Sequence, residues 1–364
     1  MCCGYRRRFG GWFLQGLFGA GPYCIVCSEA LWCGEVLWNL LRHRRTEDMA
    51  TGLVRILPRL AAVAICLLFI YGLLYRPLSL STMNGHPRPD MSWVLSQQDL
   101  RLLVSNGSLT LSPRGRCPTL LTIIVCSAVR NAAARLAIRN SWARDAHAPY
   151  VRVFFLLGHM VNDTLQDKVE EESRLFGDII QEGFIDTYNN LTVKSVVLLK
   201  WANEHCPQSR FVLKTDDDMF INVPNLITLL RTVGRKKLLL GCLISRATPV
   251  RDWSSKWYVP SFVYADHTYP DYLSGTGYVM SREVVKSLLQ TALATPFFYL
   301  EDIFVTGIVA QKAAVKPMNH DGFKYYKRKN NVCIFRKLIT GHNMSPKELQ
   351  SMWAKVRGRG VMCS

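Results

Sequence analysis

Three carboxylates stand side by side at Asp216, Asp217 and Asp218, inside the run FVLKTDDDMFIN from Phe211 to Asn222. Like charges so close repel one another, so sharing a site needs a strong reason. A hard divalent cation bound through oxygen, with open positions left for a ligand such as a phosphate, supplies one. A solvated acidic loop is the alternative. A calcium loop is excluded, because D-x-[DN]-x-[DN]-G with a later Glu is absent. A second acidic pair, Glu301 and Asp302, heads the apolar run Ile303 to Ala313, where carboxylates commonly cap a helix. Arg135 and Arg139 lie four apart on one face of a helix, either in solvent or gripping a diphosphate bidentately.

These groups need elements to position them. Leu120 to Val125 and Val151 to Leu157 read as buried strands by length and β-branching, and Gly158 ends the second. Asn131 to Trp142 and Leu165 to Phe176 read as helices, and Asp178 to Phe184 as a short strand. The stretch Leu191 to His205 predicts an amphipathic helix with Val193, Val196, Val197, Lys200 and Trp201 along one side. The apolar lead-in Phe211 to Leu213 puts the three aspartates at a strand end, where ligands of open α/β sheets gather. A helix from Asn225 to Val233 is bracketed by Pro224 and Gly234. A strand from Lys237 to Cys242 follows. Strand and helix alternating from 120 to 242 predict an α/β fold with a mostly parallel sheet covered by helices. Further on, Gly275 and Gly277 permit close backbone approach or positive φ, and Ser281 opens a helix towards Ala294. Ser345-Pro346-Lys347-Glu348 is a capping box opening a helix to about Val356, with His342 in the loop before it.

The 364 residues are 49% apolar and carry a formal net charge of +18. Residues 77–364 keep 36 basic against 23 acidic side chains, so the excess is spread. No basic run or basic helix points to nucleic acid; an anionic small substrate, an anionic membrane surface or simply a generally basic surface accounts for the charge. Leu60 to Tyr75 is sixteen residues without a charge, flanked by Arg55, Arg59 and Arg76. That length spans a bilayer if Ile56 and Leu57 join it and the arginines snorkel. Arginines gather on its N-terminal side, which predicts a single-pass type II anchor with the C-terminal part in a lumen. The expected organisation is a cytoplasmic tail at 1–59, an anchor at 60–75, a polar stem at 76–116 and a luminal catalytic domain at 117–364. Residues 1–48, rich in Gly, Trp and Cys, read as an optional extension before Met49. Six cysteines beyond the anchor allow up to three disulfides in an oxidising lumen, with the pairing open. Sequons at Asn106, Asn162 and Asn190 agree with that compartment, and Asn343 is a fourth, weakened by Pro346 after Ser345.

Several motifs then fall in a known order: RLAIRNSW (135–142), FLLG (155–158), EESRLFGDIIQEGFIDTYNNLTVK (171–194), KTDDDMF (214–220), YPDYLSGTGYVMS (269–281) and EDIFVTG (301–307). Together they resemble the β-1,3-glycosyltransferases of glycosyltransferase family 31, over roughly 117–356. The resemblance implies a GT-A fold with a Rossmann-like nucleotide-sugar half, and an inverting transfer from UDP-galactose to the 3-hydroxyl of an acceptor sugar on glycoproteins or glycolipids in the Golgi. It implies Mn²⁺ held by Asp218, with Asp216 and Asp217 near the nucleotide and His342 as second ligand or as a capping or surface histidine. Arg135 and Arg139 match arginines beside the nucleotide, Asp302 matches the catalytic base, and Glu301 supports the acceptor. UDP-GlcNAc is the alternative donor, since the N-acetylglucosaminyltransferases of the family share nearly every motif. A catalytically silent sugar-binding protein ranks below both, because the carboxylates are intact.

Overall fold

The computed structural model describes residues 61–68, 100–105, 109–147, 149–160, 162–233, 237–329, 331–358 and 363. The chain divides into two compact units, Met1–Gly85 and His86–Ser364. In the first, residues 61–68 are helical with exposed side chains. The rest of the expected anchor, the tail and the sequon Asn106 lie outside the described residues. Among the described residues no helix is long and apolar enough to cross a membrane.

The second unit is built on β1 (Leu109–Leu111), β2 (Leu121–Cys126), β3 (Val151–His159), β4 (Ile179–Ile185) and β5 (Phe211–Asp216). After β6 (Phe220–Ile221) come β7 (Leu239–Ile244), β8 (Tyr272–Ser281), β9 (Met318–Asn319) and β10 (Thr340–Gly341). Eight strands form one sheet in the order β1-β4-β3-β2-β5-β8-β7-β9, and β10 pairs with β6 in a separate ribbon. The centre, β4-β3-β2-β5, is parallel as the strand and helix alternation predicts. Beyond it β8 runs antiparallel to both β5 and β7, so the sheet is mixed.

Every residue of β2 is buried. Its side chains alternate between two cores, Ile124 on one face and Leu121, Ile123 and Val125 on the other. A strand covered on both faces reads as a continuous apolar run rather than an alternating one. Helices Leu191–His205 and Arg282–Ala292 cover the first face; Ala132–Arg139, Val223–Thr232 and Pro346–Arg357 cover the second.

Two expectations are corrected. Helix Leu191–His205 is buried nearly all round, including Thr192, Lys194 and Ser195, because helix Arg282–Ala292 and the sheet enclose it together. The folded unit begins before Cys117. Helix Leu100–Ser105 buries Leu100 and Val104 in the first core, and β1 pairs with the edge of β4. Among the described residues two disulfides form, Cys117–Cys206 and Cys333–Cys363, while Cys126 and Cys242 remain thiols inside the sheet.

Candidate active site

The chain runs outward through β2, β3 and β4 on one side and resumes with β5 on the other side of β2. A crevice opens at the carboxyl ends of strands where such an order reverses. Here Cys126 and Asp216 are register partners at those ends, and both line a cleft of about 810 Å³. Burial pushes the Cys126 thiol up to about 12, so it stays protonated.

The three aspartates take three environments. Asp216 closes β5 and accepts a 2.8 Å hydrogen bond from Lys214 Nζ. Asp217 accepts from Ser127 Oγ at 2.7 Å and Asn131 Nδ2 at 2.9 Å, which pins it to the turn after β2. Asp218 is the freest, with a side chain 41% exposed and one oxygen 3.3 Å from His342 Nε2. That approach is made by the ribbon, since β10 pairs Gly341 with Phe220 and leaves the next residue beside the loop. The loop itself is held by Trp142 Nε1 donating to the Met219 carbonyl and by Met344 N donating to the Asp218 carbonyl, both at 2.9 Å. The hydrogen bond that His342 donates to the Asp218 carboxylate raises the His342 pKa.

Across the same cleft stands the second acidic pair. Asp302 caps the helical segment Ile303–Val309, a π-helix, accepting from Ile303 N at 2.9 Å and from Gly275 N at 3.3 Å. Burial, and then the neighbouring Glu301, raise its pKa to about 6. The cap and the cleft-lining carboxylate are therefore one residue. Glu301 turns inward: it is buried, accepts from Tyr278 OH at 2.7 Å and lies 3.4 Å from Lys214 Nζ. Gly275 is needed there, because a Cβ would sit 2.8 Å from a Glu301 oxygen. Its φ is not positive; close approach is the reason for glycine.

Arg135 and Arg139 do not reach the cleft. Arg135 is fully buried and donates to Glu172 at 2.6 and 2.9 Å, to the carbonyls of Ala128 and Val129, and to Ser127 Oγ. Arg139 is forked onto Asp178 at 2.8 Å and reaches Glu172 at 2.7 Å. The face shared by the two arginines turns towards helix Asp163–Phe176 rather than the ligand. Burial opposes the charge of Glu172, yet the two guanidiniums hold its pKa below the usual carboxylate range.

Two lysines escaped the sequence reading. Lys214 sits inside a buried strand between Asp216 and Glu301; burial works against its charge, but the carboxylates hold it ionised. Lys194 donates to Asp186 at 2.7 Å and to the Ser127 carbonyl at 2.8 Å. The available signal was a lysine inside an otherwise apolar strand or helix, since buried lysines are rare unless paired.

Asp218 and His342 fit one divalent ion. Two ligands each about 2.1 Å from an ion lie roughly 3 Å apart, close to the separation found. Among the described residues no group of three His, Cys, Asp or Glu is arranged to hold a metal.

A family model described as "Galactosyltransferase" matches residues 133–321. Beta-1,3-galactosyltransferase 1 of Mus musculus is 37% identical over 238 residues, 64% of this chain and 72% of that protein. Beta-1,3-galactosyltransferase 5 of Homo sapiens is 33% identical over 316 residues, 84% of this chain and 98% of that protein. Among solved structures, the WbbM bifunctional glycosyltransferase overlaps with a TM-score of 0.36 at 13% identity, over 67% of this chain and 46% of that one, too low to carry an argument. The motif order, the cleft at the strand ends and these matches meet in one conclusion: the chain belongs to the galactosyltransferase family.

Proposed function

We propose that the protein is an inverting β-1,3-galactosyltransferase of GT-A type, moving galactose from UDP-galactose to the 3-hydroxyl of an acceptor sugar on a glycoprotein or glycolipid. The observation that carries the reading is Asp302, a carboxylate on the cleft wall with its pKa raised to about 6. A sugar hydroxyl is a poor nucleophile until a base takes its proton, and a base works best with a pKa near the working pH. Asp302 is ionised above about pH 6, and its backbone hydrogen bonds to Gly275 and Ile303 fix its direction. The hydroxyl oxygen attacks the anomeric carbon as its proton passes to Asp302, the bond to phosphate breaks, and UDP leaves. One displacement converts the α-linked donor into a β-linked product.

Asp218 and His342 are the residues that would hold Mn²⁺, with Asp216 and Asp217 on the same loop shaping the nucleotide end. When bound, the ion supplies positive charge against the departing diphosphate, commonly the largest catalytic contribution. Asp218→Ala is expected to weaken Mn²⁺ at least about 10–100-fold, the range seen when even outer partners of a metal site are lost. UDP titrations with and without Mn²⁺ measure this, and an unchanged metal dependence in the variant refutes the ligand assignment.

The reaction is tested by giving the full-length protein UDP-galactose, UDP-GlcNAc or UDP-glucose with β-linked GlcNAc and galactose glycosides. Galactose in a β1→3 linkage is expected. An α linkage excludes single displacement, preferential transfer of GlcNAc replaces the donor, and no transfer from any donor overturns the enzyme reading.

We place the protein in the Golgi membrane as a single-pass type II protein with the catalytic unit luminal, on the arginine bias around residues 60–75. Asn162 supports a luminal site, being exposed and using only its side-chain oxygen to cap helix Asp163–Phe176. Glycosidase digestion is expected to shift the protein on a gel, and Asn162→Gln to remove one step of that shift. A band that digestion leaves in place counts against the topology.

A further inference from the structure

Two of the large aromatic side chains left exposed in the second unit stand together on the rim of the cleft. Trp257 is 52% exposed and Tyr188 51% exposed, and both line it. They come from different stretches, Tyr188 from the 3-10 turn Tyr188–Asn190 after β4, and Trp257 from the loop between β7 and β8. Lys256 links them, its Nζ lying 4.6 Å from the centre of the Trp257 ring and 5.9 Å from that of Tyr188. Exposed aromatics at the edge of a polar cleft have no folding advantage, and where they gather they mark binding surfaces.

Both halves of this rim are tied to the segment that carries the base. Thr192, next to the Tyr188 turn, donates its hydroxyl to the Phe298 carbonyl at 2.8 Å. Tyr299 OH donates to the carbonyl of Tyr258, the residue after Trp257. The loop is braced further by Arg251, which donates to the carbonyls of Val259 at 2.7 Å and Tyr264 at 2.8 Å. Phe298 and Tyr299 precede Glu301 and Asp302, separated from them by Leu300 alone, so rim and base are positioned as one unit. After burial, the influence that weighs most on the Tyr188 phenol is the charge of Asp302, ahead of Asp216. The rim thus belongs to the base side of the cleft rather than to the aspartate loop.

We propose that Trp257 and Tyr188, bridged by Lys256, form the platform on which the acceptor pyranose seats. The inference rests on the reading of the cleft as a sugar-transfer site and names the acceptor's place in it. In a single displacement the attacking hydroxyl enters opposite the leaving phosphate. The acceptor therefore lies beside Asp302 and away from the diphosphate end. The C–H face of a pyranose is weakly positive and complements the negative face of an aromatic ring. The Lys256 ammonium has three donors, enough to meet the ring hydroxyls while it rests on the aromatics. The ligand class is a β-linked neutral hexopyranoside offering one apolar face.

The test uses saturation-transfer NMR on the full-length protein with UDP and Mn²⁺, with methyl β-N-acetylglucosaminide or methyl β-galactoside as probe. Saturation of the ring C–H protons is expected in the unmodified protein. It should weaken roughly tenfold or more in apparent affinity with Trp257→Ala, and survive in Trp257→Phe, on the scale of one aromatic contact. UDP signals should be the same in all three. Trp257 is half exposed, so the alanine variant should fold, and a melting curve confirms it; Tyr188→Ala is the second variant and should show the same selective loss. Glycoside binding undiminished in both alanine variants overturns the platform, as does a loss of UDP binding equal to the loss of glycoside. A protein that binds UDP but neither glycoside also overturns it, while leaving the nucleotide reading standing. Failure to bind UDP at all refutes the transfer reading itself.

Discussion

Asp302→Asn should slow turnover by about 10²–10⁴-fold, the usual contribution of a general base, while UDP and acceptor binding hold. Asparagine keeps the shape and an oxygen for the Ile303 amide, so the cap survives; proton acceptance is lost, together with the long 3.3 Å bond from Gly275 N. The pH dependence gives the sign. The group acts as a base only when ionised, and its pKa stands at about 6. Turnover of the unmodified enzyme should therefore fall as pH drops through about 6, and the variant should lack that limb. Stability runs the other way. A folded pKa raised from 3.8 to about 6 favours the protonated fold, so this contribution is present below about 4 and lost as pH rises to 6. At neutral pH the charge is a burden, and the variant should melt no lower than the parent. Weakened UDP binding with turnover kept at saturation would assign Asp302 a structural cap alone.

Arg135→Met is expected to destabilise the protein by about 3–5 kcal/mol, the loss seen when one partner of a buried ion pair is removed. For a unit of this size that lowers the melting point by roughly 10 °C. Glu172 loses two of its three hydrogen bonds from the arginines, and the Ala128 and Val129 carbonyls lose their donor. The turn they support carries Ser127, which holds Asp217, so the aspartate loop should loosen as well. Lysine should not restore stability, since it lacks the planar fork that spans Glu172 and the carbonyls. If the variant melts normally but binds UDP poorly, Arg135 contacts the nucleotide after all.

Local chemistry was legible because it repeats locally. Apolar runs without alternation announced strands covered on both faces, and β2 is one. Ser345 and Glu348 announced a capping box, and both of its hydrogen bonds are made. The three aspartates follow a strand whose last residue is Asp216, as the lead-in from Phe211 predicts. The acidic pair heads a helical segment, though as a π-helix over Ile303–Val309 rather than a plain α-turn. Family membership too was readable, from motif order alone.

What the sequence could not decide was what each face meets. Spacing puts Arg135 and Arg139 on one side of a helix, but their partners Glu172 and Asp178 lie on the next helix and at its end, so only packing sends both guanidiniums away from the cleft. Periodicity likewise marked one apolar side on Leu191–His205, while a second helix laid across it buried the rest. His342 comes to Asp218 through a two-residue ribbon too short to leave a pattern. Asp302 faces the aspartate loop because β8 runs antiparallel beside β5 and carries Gly275 to both carboxylates of the pair. Residue type and spacing thus determined which groups could do chemistry. Only the order of strands in the sheet, a contact between stretches far apart in the chain, decided which of them share a site.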